Sequence, residues 1–111
     1  MITSAKDLSP WPRSLVKAAY HKVMRQLRSG PQTRPFLHEV KTKPTNSVEN
    51  DYETDGYYDI YFVVVGAGVE VNFNLRLVVD GDRTHIAENV EARVLPEGRN
   101  PIEVPLIVKV P

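Results

Sequence analysis

An α+β fold, with one amphipathic helix laid across an antiparallel sheet, is predicted from three features of the 111-residue chain. The first is the stretch Tyr57 to Val79, which reads YYDIYFVVV, then GAG, then VEVNFNLRLVV. In its second arm Val69, Val71, Phe73, Leu75, Leu77 and Val79 fall on one side, and Glu70, Asn72, Asn74, Arg76 and Val78 on the other. In its first arm Tyr58, Ile60, Phe62 and Val64 oppose Asp59 and Tyr61. Successive strand side chains point to opposite faces, so both arms are strands with one dry and one wet face. The second feature is a helical stripe over residues 13–28. The third is the order of elements: the helix comes first and hairpin-connected strands follow, which leaves the helix as the only cover for the dry face.

Residues 1–8 read as a lead-in. Ser9-Pro10-Trp11-Pro12 is expected to stay non-helical until Pro12, because proline fixes its own φ and pushes the preceding residue toward extended structure. Trp11 then sits just ahead of the helix, where it can fold onto the first turn as a staple; the functional alternative is an aromatic wedge that grips a partner. From 13 to 28, Val16, Ala19, Tyr20, Val23 and Leu27 recur at helical spacing, widened by Leu15 and Met24. Arg13, Lys17, His21, Lys22, Arg25 and Arg28 occupy the other side. Ser29-Gly30-Pro31 ends the helix, with Gly30 suited to a left-handed cap.

A first strand is expected over 35–43, with Phe36, His38 and Val40 on one face. Residues 44–56, PTNSVENDYETDG, read as a polar acidic loop. It lacks the central glycine and the final glutamate of a calcium loop. The hairpin supplies strands at 57–65 and 69–79, with Gly66-Ala67-Gly68 free to reverse the chain. Asp80-Gly81-Asp82-Arg83 is a turn signal, and a strand over 85–95 follows with Ile86, Val90, Ala92 and Val94 in phase. The tail 102–110 is apolar and β-prone, but Pro101, Pro105 and Pro111 restrict it to an edge strand or an extended arm. The sheet is thus four-stranded, or five-stranded if the tail pairs.

One domain over 1–111 fits this length, which suffices for a core without disulfides. The chain has no cysteine, which rules out a disulfide scaffold and a thiol nucleophile. That fits a reducing compartment; a secreted chain whose signal peptide had been replaced by Met1 would read the same. No transmembrane run is present. The net charge of zero conceals a division: residues 1–45 hold nine Lys and Arg against two acids, and the remainder holds five against twelve. Such asymmetry marks an anionic partner or mutual neutralisation within one domain. No aromatics interleave with the helix cations, which disfavours nucleic acid.

Catalytic chemistry finds no footing. His21, His38 and His85 are scattered, with no metal-ligand spacing. There is no phosphate loop and no nucleophile motif. We therefore expect no enzyme, no cofactor and no metal.

The run SLVKAAYHKVMRQLRSGPQTRPFLHEVKT takes a small-residue helix into a Ser/Gly-Pro turn and then an Arg-x-Phe/Leu-x-x-Glu-Val strand. With YYDIYFVVV and the Val-x-Val-Asn of VEVNFNLRLVV, it resembles one domain of the latexin family, over residues of about 9–95. The resemblance implies a cystatin-like fold. Latexin-type proteins have two such domains joined by a linking helix and inhibit zinc-dependent carboxypeptidases of the pancreatic type; the family also includes matrix and interaction proteins. The motifs of true cystatins are absent: no Gln-x-Val-x-Gly occurs in 44–56, no glycine precedes the helix, and Pro10-Trp11 lies ahead of it.

The expectation is a binding or inhibitor-like module with a protein partner, a protease by the resemblance. Its candidate contacts are Trp11, Tyr52, Val65, Gly66, Ala67 and Gly68. The alternative is a structural or matrix protein that binds an anionic partner through Lys17, Lys22, Arg25 and Arg28.

Overall fold

The computed structural model describes residues 10–37, 40, 45–49 and 56–110, with backbone alone for 10–12 and 45–49. The expected lead-in 1–8, the middle of the acidic loop with Tyr52, and His38 lie outside the described residues.

Helix α1 spans Pro10–Ser29 and so starts ahead of the expected Arg13. The first four N–H groups of a helix have no intrahelical acceptor, so Pro10 and Pro12 both fit its first turn without breaking a bond. Trp11 therefore belongs to that turn rather than preceding it, and the expected staple position is corrected. Leu15, Val16, Ala19, Tyr20, Val23, Met24 and Leu27 are buried. The end of α1 also differs from expectation. Positive φ among the described glycines is confined to Gly68, Gly81 and Gly98. At Gly30 a Cβ would stand 3.2 Å from both the Gln26 carbonyl and Thr33 Oγ1, so glycine provides clearance there rather than a left-handed cap. The buried Thr33 hydroxyl donates to the Leu27 carbonyl and satisfies a helix-end acceptor.

The predicted strand at 35–43 is corrected at its start by α2, a single helical turn over Arg34–Leu37. Pro35 suits a first helical turn, and Leu37 and Val40, three apart, are both buried. The first strand comes later, inside the segment read as a loop: β1, Thr45–Glu49. Its backbone pairs with β2, Gly56–Gly66, which forms the expected hairpin with β3, Val69–Asp80.

The strand expected at 85–95 is two pieces, β4 (Arg83–Ile86) and β5 (Asn89–Pro96), set end to end along β3. Leu77 pairs with Ile86 and Phe73 with Ala92, so residues 74–76 face the longer segment 87–91. This is a bulge with two extra residues. An even insertion preserves the alternation, so Ile86, Val90, Ala92 and Val94 all stay on the dry face. Glu88 is pushed out to solvent, and its carbonyl accepts from the Val108 amide at 2.8 Å. The tail pairs as β6, Ile102–Ile107, giving the order β1-β2-β3-β5-β6, antiparallel throughout.

The helix covers the dry face as the element order requires. Tyr20 lies 5.3 Å from Phe62 and 5.9 Å from Phe73, and those two rings stack at 5.1 Å. Burying each such side chain contributes about 1.5–3 kcal/mol. Along the β6 side, Lys22 Nζ donates to the Lys109 carbonyl and Gln26 Nε2 to the Ile107 carbonyl, the latter at 3.0 Å. These bonds occupy edge carbonyls that would otherwise be open to pairing.

Candidate functional site

A meander sends alternate turns to opposite ends of its sheet. The β2–β3 turn at Gly66–Gly68 and the β5–β6 turn at 97–101 therefore share one end. Val69 pairs with Pro96, which brings the two turns side by side. The Glu97 amide donates to the Gly68 carbonyl at 2.8 Å, and the Arg99 amide to the Pro96 carbonyl at 3.2 Å. Ala67 has φ +52° and Gly68 φ +74°. Positive φ at both central positions defines the hairpin turn whose twist matches that of the strands. For alanine that conformation costs about 1–2 kcal/mol.

Val65 is half exposed at 51%, and Ala67, Gly68, Glu97 and Arg99 are exposed beside it. Beside the turns lies a shallow depression of about 230 Å³, lined by Val65, Gly68, Val69, Glu70, Leu95 and Glu97. The Arg99 guanidinium stands 5.6 Å from the Phe36 ring, which puts α2 at the same end. Of the sequence-predicted contacts, Val65, Gly66, Ala67 and Gly68 are thus brought together. Trp11 is not added to them. Gln26 and Lys22 track the tail away from this end, and the start of α1 lies roughly 30 Å along its axis from Ser29. Glu97 and Arg99 escaped the sequence reading, although the meander order places their turn here.

The candidate anion-binding residues divide. Arg28 donates to the Val40 carbonyl at 3.0 Å, and Lys22 is committed to Lys109. Lys17 and Arg25 are exposed in one row with Arg13 and His21, spaced by four, in a helix without a single acid.

The wet face of the sheet holds an unexpected network. Asp59 is only 9% exposed. Arg76 donates to both of its oxygens, at 2.8 and 3.2 Å, and Asn74 Nδ2 donates to one at 3.3 Å. The Arg76 guanidinium also lies 3.8 Å above the Tyr57 ring. The carboxylate bond raises the Arg76 pKa further above its ordinary value. The Oδ1 atoms of Asn72 and Asn74 are buried and accept no hydrogen bond from the described residues.

Among the described residues no group of three or more His, Asp or Glu is placed to hold a metal ion. No described helix is long and apolar enough to cross a membrane. No protein-family model, curated protein or solved structure matches the chain.

Proposed function

We propose that this chain is a non-catalytic binding module of the protease-inhibitor kind, docking through the paired turns Val65–Gly68 and Glu97–Arg99. The observation that carries the reading is the Glu97–Gly68 backbone hydrogen bond, which makes two turns into one stiff rim. A rim already ordered before binding loses little entropy on contact. Strained backbone gathers at functional sites, and Ala67 is the one non-glycine residue with positive φ among the described residues. The resemblance to a latexin or cystatin domain adds the partner class, and a zinc-dependent carboxypeptidase is the first target to assay. Micromolar protein is expected to slow a pancreatic-type carboxypeptidase or papain. Unchanged activity of both enzymes would sink the proposal.

A second reading rests on the row Arg13, Lys17, His21 and Arg25, which offers an anionic partner an acid-free helix face. Retention on heparin at physiological salt supports it, whereas elution well below that salt would leave only nonspecific charge attraction.

A further inference from the structure

We propose that the wet face of the sheet carries a second site, a recess that binds a guanidinium group. The recess is an open depression of about 390 Å³, lined by Tyr61, Val63, Glu70, Asn72, Asn74 and Glu91, with Phe62 and Phe73 also reaching it. Its polar lining is rich in acceptors. The Asn72 and Asn74 Oδ1 atoms are both buried and accept nothing from the described residues. The orientation of Asn74 is fixed by chemistry: its Nδ2 donates to Asp59, and the reversed amide would set oxygen against carboxylate. The Asn74 oxygen is therefore a true acceptor with no donor among the described residues.

Charge selects a cationic donor. Asp59 and Arg76 neutralise each other. Among the described residues around the recess that leaves Glu70, Glu91 and Glu103 against Arg93, which stands in register between Asn72 and Glu103.

The adjoining row shows what such a cation meets on this face. There the Arg76 guanidinium stacks on Tyr57 and is gripped by Asp59. One step along the same strand, Tyr61 is 40% exposed and pairs in register with Asn74, beside Glu91. The recess thus offers again an aromatic ring flanked by acceptors. A planar, weakly hydrated guanidinium can stack and bond at once, whereas an ammonium is a strongly hydrated point charge.

Side-chain amide and aromatic NMR signals of the full chain, followed at constant ionic strength, test the site. The probes are ethylguanidinium, butylammonium and an acetylated Gly-Arg-Gly amide. Saturable shifts at Asn72, Asn74 and Tyr61 are expected with the guanidinium probes, and butylammonium should bind about tenfold more weakly. Tighter binding of the peptide identifies the source as an arginine of a partner protein; equal binding identifies a small guanidinium compound. Asn72→Val, which suits a strand, and Glu91→Gln should each weaken binding with the remaining spectrum unchanged. Absence of saturable shifts, equal response to butylammonium, or undiminished binding by Asn72→Val overturns the proposal. Neither substitution touches the turn rim, so this test and the inhibition assay fail independently.

Discussion

The Glu97 amide donates to the Gly68 carbonyl across 2.8 Å, joining the turn after β5 to the turn after β2. Those residues are 29 apart in the chain and meet only because the sheet is a meander. The bond converts two hairpin tips into one surface, and the proposed binding role rests on that surface.

Ala67 bears the strain of the rim, with φ +52°. Asparagine followed by glycine is the favoured pair for this turn. Ala67→Asn is therefore expected to raise stability by about 1 kcal/mol, seen as a higher urea midpoint with unchanged slope. An unchanged or lower midpoint would remove strain from the account.

The lid role of α1 is tested at Val23, which is fully buried against the sheet. A buried unpaired carboxylate costs several kcal/mol, comparable with the ~5–15 kcal/mol that holds a domain together. Val23→Asp should abolish cooperative unfolding by circular dichroism. A normal transition would mean that the helix does not cover the core.

Asp59 and Arg76 are unequally sheltered, with side chains 13% and 45% exposed. Arg76→Ala should cost about 1–2 kcal/mol, because among the described residues Asp59 is left with Asn74. Replacing both by leucine should recover most of that loss, since apolar substitution of a sheltered pair is often neutral. Additive destabilisation in the double variant would contradict the pairing.

Burial pushes the Tyr20 phenol above its ordinary pKa of 10.0, with Arg28 pulling partly back. Below that value the phenol is neutral in folded and unfolded chains alike, so its contribution to stability is intact. As pH rises past it, the unfolded chain loses the proton first and stability falls until the folded phenol titrates. Tyr20→Phe should therefore lose less stability than the parent between about pH 8 and about pH 11 in urea titrations. Equal losses would show that Tyr20 has no part in the alkaline limb.

The hairpin and the helix were legible because each repeats its period many times over. Segment 34–40 was not. Phe36, His38 and Val40 are two apart and Leu37 and Val40 three apart, so both periods fit so short a run. Strand β1 hid in TNSVE because an edge strand is held by backbone bonds that need no apolar pattern. The break at 87–88 left one trace, Glu88 standing in phase with Ile86 and Val90. Asp59 facing Arg76 followed from the turn: once Gly66 pairs with Val69, counting outward reaches that pair. The same reasoning places the 97–101 turn beside Gly66–Gly68. What local pattern could not supply was the burial of Asp59 and of the two asparagine oxygens, which depends on how neighbouring side chains fill the wet face.

Val65 is the exposed apolar residue of the rim, and its substitution leaves the core untouched. The most direct measurement compares wild-type protein with Val65→Asp as inhibitors of a pancreatic-type carboxypeptidase, with papain in parallel. Inhibition by the wild type at micromolar concentration, weakened at least about tenfold in a Val65→Asp variant of unchanged fold, is the predicted result. Equal inhibition by the two proteins, or none by either, would contradict the rim as the binding surface.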